Sequence, residues 1–460
     1  MRKALRGDLD RIVMTALRKV PAHRYASAAA FAADIERYLH GLPVKARGTS
    51  KLYRANRFVA RNRLVVALTT FALLALAIGL IAVSFQAREA QRQRDVAVQE
   101  ASRASNAKDF LVDMIGRADP FENAASATLI GAIKQSIPGI EARFAGQPEL
   151  EADMRYAIGY ALQNLGEIEP AREQLEAALV LRRAHGSALD VAEVLSGLGI
   201  VSWWESDFVK ARPEFEQALR LLGDDASKRA VVLRVDAMTN LAGMLIDAGD
   251  FQGSVELSQG ALRAATDSVD ISSATLATVW GNLATAQESL KQFDAAAASF
   301  DKTLQLQRQA TGEMHPSYAV ALNNQAHLFF DMGNPHRAIE NLKESLRIRQ
   351  QTLDADHPQI ATALFNLANA QIAVGDFDAA GRNGQEALRI AEFSFQAGHP
   401  RIGKAHQALA KLHMKTGQTK LARSHALMAQ MIYANAEGVD PAWIGQVDAM
   451  LAEIERMPIH

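Results

Sequence analysis

From about Glu149 to Glu437, apolar positions recur at helical spacing, and after two units of irregular length the pattern repeats every 42 residues. His315-Pro316, His357-Pro358 and His399-Pro400 mark the period, as do Gly249, Gly333, Gly375 and Gly417, with Lys291 in the place of one glycine. A fixed period of this size predicts stacked helical hairpins. Within a unit the first helix opens at His-Pro, because proline fits the first helical position and biases its predecessor away from helix. It stops at the glycine, which tolerates the left-handed backbone of a tight helix end. The same turn recurs as Ala248-Gly249-Asp250-Phe251, Val374-Gly375-Asp376-Phe377 and Leu290-Lys291-Gln292-Phe293. A left-handed Lys291 carries about 1 kcal/mol of strain. Second helices place small and large apolar residues at fixed offsets: Ala296 and Leu304, Ala338 and Leu346, Ala380 with Ala387 and Leu388. Turns at Gly166, Ser206, Gly249, Lys291, Gly333, Gly375 and Gly417 predict about seven units over 149–437. Thr128 to Phe144 and Ala442 to Arg456 are expected to form capping helices, within segments 121–148 and 438–460. The fold class is all-α, a superhelical solenoid preceded by one transmembrane helix.

That helix is Leu64 to Phe85, LVVALTTFALLALAIGLIAVSF, 22 residues without a charge. As a helix it is about 33 Å long, enough to cross the hydrocarbon core. It starts too far into the chain and runs too long for a signal peptide. The preceding stretch 41–63 holds seven basic residues and no acid (Lys45, Arg47, Lys51, Arg54, Arg57, Arg61, Arg63), whereas Arg88, Arg92, Arg94 and Arg103 beyond the span are mixed with Glu89, Asp95 and Glu100. The positive-inside rule puts the N-terminus in the cytoplasm and the array outside, and the basic stretch suits anionic lipid head groups. Segment 86–120 reads as a helical stalk. Ala90, Ala97, Ala104 and Leu111 keep a seven-residue spacing, but Arg94 and Lys108 interrupt the seam. Ala75-x-x-x-Gly79 offers a small-residue contact, so a weak homodimer through the span or stalk is the one self-association expected.

Composition excludes several chemistries. The formal net charge is −1, which gives no electrostatic footprint for nucleic acid. There are no cysteines, so disulfides, thiolate zinc sites and cysteine nucleophiles are ruled out. His399, His406 and His413 lie seven apart, whereas metal ligands on one helix lie three or four apart. No metal, no cofactor and no catalytic residue is expected.

The repeat columns resemble tetratricopeptide repeats in the 42-residue form of kinesin light chain. The resemblance implies that first helices line a concave groove binding a protein or peptide. Asn240, Asn282, Asn324 and Asn366 recur at 42 on those helices, nine residues before each turn. By family analogy an asparagine there holds the ligand backbone, since an amide both donates and accepts. Alternatively it bonds to a neighbouring helix and fixes the stacking; the sequence leaves both open. In the same register Trp203, His327, Phe330, Lys411 and Lys415 face the groove, Asp247 and Asp331 lie at its edge, and Trp280 falls on a core position. The mixture sets no charge for the ligand.

Residues 1–40 hold two amphipathic patterns, Leu9, Ile12, Val13, Ala16 and Leu17 in one, Ala29, Phe31, Ala32, Ile35, Tyr38 and Leu39 in the other. Gly7-Asp8-Leu9-Asp10, Ala16-Leu17, Pro21, Arg24-Tyr25, Ser27-Ala28, Asp34-Ile35, Tyr38-Leu39 and Pro43-Val44 resemble the last two helices of bacterial serine/threonine protein kinase domains. In that family a basic linker, a membrane helix and an external repeat array often follow, and Phe110-Leu111 and Ala118-Asp119-Pro120 match it too. The resemblance implies a bacterial inner-membrane protein with a periplasmic array. The Gly-rich loop, Val-Ala-Ile-Lys-like strand, His-Arg-Asp, Asp-Phe-Gly and Ala-Pro-Glu segments are missing, so phosphoryl transfer has no machinery here. Arg24 lacks the glutamate its counterpart pairs with, and with no lobe to cover, residues 1–40 are expected to be loosely ordered. Two readings follow: a membrane-anchored, non-catalytic binding scaffold, or the sensor half of a transmembrane kinase whose catalytic half is encoded upstream.

Overall fold

The computed structural model describes residues 7–48, 50–116, 128–266, 271–436 and 441–457. The chain divides into two compact units, Met1–Asn106 and Ala107–His460. Ala118-Asp119-Pro120 lies outside the described residues, as do 1–6 of the kinase-like segment, 121–127 before the first cap and 438–440 and 458–460 around the last.

The first unit contains α1 (Asp8–Ala16), α2 (Ala28–Leu39) and α3 (Lys51–Arg61). Ser27 and Ser50 cap α2 and α3, accepting from the Ala30 and Tyr53 amides. Residues 7–40 are thus folded, against the expectation of loose order. Two buried carboxylates explain this. Asp34 accepts from the Tyr25 hydroxyl at 2.8 Å and from the Lys45 and Ala46 amides at 2.6 and 2.8 Å. Asp8 meets Arg47 at 2.9 Å, the Tyr53 hydroxyl and Arg57. Burial alone raises the Asp8 carboxyl, but Tyr53, Arg57 and Arg47 outweigh it and hold it below its ordinary value. The basic stretch therefore folds back on the two helices and supplies donors where apolar cover is thin. Ile12 is buried, but Met14, Leu17 and Leu39 stay exposed. Arg24 donates to the Arg18 carbonyl at 2.6 Å.

One helix, α4 (Arg63–Gly116), carries the apolar run and the stalk pattern. Its Arg63–Asp95 portion is long and apolar enough to cross a membrane, and no part of its apolar stretch is covered by the structure.

The second unit is all-helical among the described residues. After the end of α4, α5 (Leu129–Ser136) and α6 (Ile140–Arg143) cap the array. Ile133, Ile140 and Phe144 bury themselves against Leu150 and Ile158, and Phe110 meets Phe144 edge-on at 5.6 Å. Seven hairpins follow among the described residues: α7 (Pro148–Asn164) with α8 (Ile168–His185), α9 (Ala188–Trp204) with α10 (Phe208–Leu222), α11 (Lys228–Asp247) with α12 (Phe251–Thr266), and α13 (Ser273–Ser289) with α14 (Phe293–Thr311). Next come α15 (Pro316–Asp331) with α16 (Pro335–Thr352), α17 (Pro358–Val374) with α18 (Phe377–Ser394), and α19 (Pro400–Lys415) with α20 (Thr419–Asn435). Helix α21 (Pro441–Glu455) closes the end, seating Val447 near Tyr433 and Ile454 near Ala410 and Ala422.

Each hairpin closes on small residues. Gly159, Gly199, Ala242, Ala284, Ala326, Ala368 and Ala410 occupy one buried column of the first helices. Ala171, Ala211, Ser254, Ala296, Ala338, Ala380 and Ala422 occupy the facing column of the second, all buried. With so little side chain between them the helices approach closely, and phenylalanines and leucines fill the flanks.

Every turn residue is left-handed: Gly166, Ser206, Gly249, Lys291, Gly333, Gly375 and Gly417 have φ between 62° and 82°. At the third turn the Asp250 amide bonds the Leu245 carbonyl at 2.8 Å and the Gly249 amide bonds Ile246 at 3.0 Å, closing the helix end. Gln292 and Lys291 make the same pair, to Gln287 and Glu288. The His of each His-Pro caps its helix, Nδ1 accepting from the amide two residues on (Ser317, Gln359 and Arg401, each at 3.2 Å).

Lys291 sits at φ 62° without glycine's freedom, and its ammonium makes only weak contacts, with Asp331 at an exposed 3.9 Å and the Phe293 ring at 5.7 Å. Lys291→Gly should therefore stabilise the array by about 1 kcal/mol and raise the melting temperature by roughly 1–3 °C. Thermal unfolding followed by circular dichroism checks this; a fall would mean that the Asp331 contact outweighs the backbone strain.

Candidate functional site

Second helices pack on the following first helix, α8 on α9 and α10 on α11, for example. First helices also pack directly along one another, α9 on α11, α11 on α13, α13 on α15 and α17 on α19. Second helices make no comparable contact with each other among the described residues. The first helices therefore form the inner, concave wall.

On that wall the four asparagines behave differently. Asn282 Nδ2 donates to the Thr239 carbonyl of α11 at 2.9 Å, and Asn366 Nδ2 donates to Asn323 Oδ1 of α15 at 2.9 Å. Both tie one first helix to the previous one. Asn324 accepts weakly from Asn323 at 3.4 Å, and Asn240 is half-buried with no side-chain bond among the described residues. Trp203 donates from its indole N–H to Asp247 at 2.8 Å, and its ring lies over Gly243, where a Cβ would come within 2.8 Å of it. Trp280 packs beside Val255 and Leu283 in the core.

The wall opens into a cleft of about 850 Å³ between α15, α16, α17, α19 and α21. Five of the residues expected to face the groove meet there, His327, Phe330, Asn366, Lys411 and Lys415, joined by Asp331 from its expected edge. Asn240, Asn282, Asn324 and Trp203 lie outside it. Ala326, Ala338, Leu342 and Ala370 supply small and apolar lining, flanked by Phe365, Met414 and Met450. Polar groups converge from Asn369, Gln407 and Gln446, with Asp331 and Glu453 supplying carboxylates.

Sequence reasoning missed Phe365, Asn369, Lys404 and Gln407. Lys404, Gln407, Lys411 and Lys415 form one stripe of α19, so extending the register by a turn finds two of them. Nothing periodic announces Trp443, which enters from the capping helix. Lys404 Nζ stands 3.6 Å from the Trp443 ring centre and 5.9 Å from that of Phe365, a cation–π bridge joining α19 to α21 and α17.

The concave walls shape the titration of what they enclose. His327 keeps contact with solvent, yet the surrounding protein lowers its pKa, with Asp331 opposing and Lys404 assisting. Burial and the neighbouring Lys415 lower the Lys411 pKa. Just beyond the cleft, burial and Asp331 push Glu288 up to about 7, against Lys291. Behind α19, His406 is buried and shares an Nδ1–Nδ1 hydrogen bond of 2.9 Å with His425 of α20. No three histidines or carboxylates among the described residues converge as a metal site requires.

Tetratricopeptide-repeat family models match residues 152–185, 233–309 and 317–392. The array is thus a solenoid of tetratricopeptide repeats. Similar solved structures include BtubC from P. vanneervenii, at 21% identity over 51% of this chain and 92% of that one, TM-score 0.42. A putative kinesin light chain of nearly identical TPR-like repeats from Podosopora anserina is 22% identical over 44% of this chain and 95% of that one, TM-score 0.39. A Rap protein complexed with competence and sporulation factor is 12% identical over 76% and 98%, TM-score 0.47. No curated protein matches the chain in sequence.

The different bonding of Asn282 and Asn240 separates stacking from ligand contact. Asn282→Ala should cost about 1 kcal/mol by removing the bond that ties α13 to α11, whereas Asn240→Ala should leave stability within a few tenths. Urea unfolding of both variants measures the difference; equal costs would refute the assignment of Asn282 to stacking.

Proposed function

We propose that the chain is a membrane-anchored scaffold that holds a protein or peptide segment in the concave cleft and performs no chemistry of its own. The cleft carries this reading: a volume suited to a short peptide, apolar walls for side chains, and amides and cations converging from α17, α19 and α21. No nucleic acid or cofactor enters the proposal. Anchoring rests on the uncovered apolar stretch of α4 and the basic segment before it. Arg47 and Arg57 are engaged by Asp8, which leaves Lys45, Lys51, Arg54, Arg61 and Arg63 for an anionic lipid surface. The charge asymmetry favours a cytoplasmic N-terminus and an array across a bacterial inner membrane, in the periplasm. Ala75 and Gly79, on the uncovered helix, allow a weak pairing of two copies.

A second reading, the sensor half of a transmembrane kinase, is favoured by one observation: Met14, Leu17 and Leu39 present apolar surface that nothing among the described residues covers. Kinase-coding sequence running in frame into the Met1 codon would select it; a stop codon between them would not.

Alkaline phosphatase fused after Ala118 should be active in cells if the array lies outside the cytoplasm, and an inactive fusion would reverse the orientation. For the cleft, a photo-crosslinking benzoylphenylalanine at Gln407 should trap a discrete adduct in intact cells. The same probe at Gln385, on the exposed face of α18, should not. Identical adduct patterns from both positions would remove the cleft from the mechanism.

A further inference from the structure

We propose that α3 is an interfacial helix: Leu52, Ala55, Phe58 and Val59 bed into the head-group layer of an anionic bilayer and hold the N-terminal unit against the membrane. The proposal rests on the reading of α4 as a membrane span and adds a second, surface contact with lipid.

The two sides of α3 differ. Tyr53 and Arg57 stand one turn apart and both donate to Asp8 of α1, and the Tyr53 hydroxyl also accepts from the Val44 amide at 3.1 Å. These bonds fix the rotation of α3 about its own axis. Leu52, Ala55 and Val59 fall at i, i+3 and i+7 with Phe58 beside them, which places them on the opposite side. All four are exposed, Leu52 at 78% and Phe58 at 55%, so the unit presents this apolar face outward instead of burying it. Arg54 and Arg61 run along one margin of the face, Lys51 stands at its N-terminal end, and all three are exposed. An apolar face bordered by cations is the composition of a helix that lies in the plane of a membrane surface. The aliphatic stems of the cations cross the apolar layer and set their charges among lipid phosphates.

Position in the chain identifies the occupant. Helix α3 ends at Arg61, Asn62 leaves the helical conformation at φ −111° and ψ 38°, and the uncharged run begins at Leu64. Three residues reach at most about 10 Å. Where Leu64 enters the hydrocarbon, the end of α3 is therefore held at the level of the head groups. The break at Asn62 releases α3 from the axis of α4, so the tethered helix is free to lie flat on the surface. A second copy of the chain is the poorer occupant. It would bring the same cations to the contact, and residues 41–63 contain no carboxylate to meet them.

The test uses the full chain reconstituted in phosphatidylcholine vesicles with and without phosphatidylglycerol. The chain has no cysteine, so Ala55→Cys, Leu73→Cys or Ala33→Cys takes a single nitrobenzoxadiazole label. Leu73 lies in the apolar run and reports anchoring, whereas Ala33, exposed on α2, reports the aqueous side. With phosphatidylglycerol present, the label at Ala55 should emit to the blue of the label at Ala33 and be quenched by lipids that carry a nitroxide near the head group. Leu52→Gln with Phe58→Gln should abolish that quenching. Both positions are exposed, and unchanged circular dichroism confirms that the double variant is folded. Omission of phosphatidylglycerol should weaken the quenching; equal quenching in neutral vesicles would overturn the anionic preference. Quenching at Leu73 with none at Ala55 would overturn the proposal and leave the span standing. No quenching at Leu73 would overturn the span, and the proposal with it. A blue-shifted label at Ala55 that ignores the nitroxide would assign the face to a protein partner and sink the lipid contact.

Discussion

The close approach of two helices across alanine and glycine is the interaction on which the array depends. Ala284 against Ala296, or Ala326 against Ala338, removes the side-chain bulk that would otherwise hold a hairpin open. The left-handed turn then brings the second helix back at a fixed angle, because it caps the first helix with two backbone bonds rather than letting it fray. Once every unit has the same internal geometry, the relation between successive units repeats as well. A concave wall is the consequence of that repetition, since first helices touch first helices while second helices do not.

The cleft arises where the repetition ends. Helix α21 takes the place beside α19 that another first helix would take, but its residues do not follow the repeat. Trp443, Met450 and Glu453 therefore face the lysine stripe of α19 from positions outside the repeat register. Earlier first helices knit to one another through Asn282 and through Trp203 over Gly243, which engages those polar groups within the wall. At the C-terminal end Lys411, Lys415 and Asn366 Oδ1 have no such bonds among the described residues.

The N-terminal unit solves a different problem. Two short helices bury little apolar surface, and burial alone seldom stabilises so small an assembly. Asp8 and Asp34 instead recruit donors from the following segment, so a stretch that reads as a lipid-facing basic linker also serves as structural glue. Charge composition cannot separate the two roles, because an arginine that pairs with a distant carboxylate looks the same in sequence as one that faces head groups.

The sequence alone determined the helical class, the 42-residue hairpin and the position of every turn. These are local properties: proline and glycine act within a few residues, and a repeat multiplies the signal. It also brought His327, Phe330, Asn366, Lys411 and Lys415 onto one face, because register along a helix is arithmetic. Only the tertiary structure decided which asparagines are spent on stacking, that Asp8 and Asp34 gather the basic linker, and that Trp443 closes the cleft over Lys404. Each of those depends on contacts between residues distant in the chain or outside the period, and spacing carries no information about such partners.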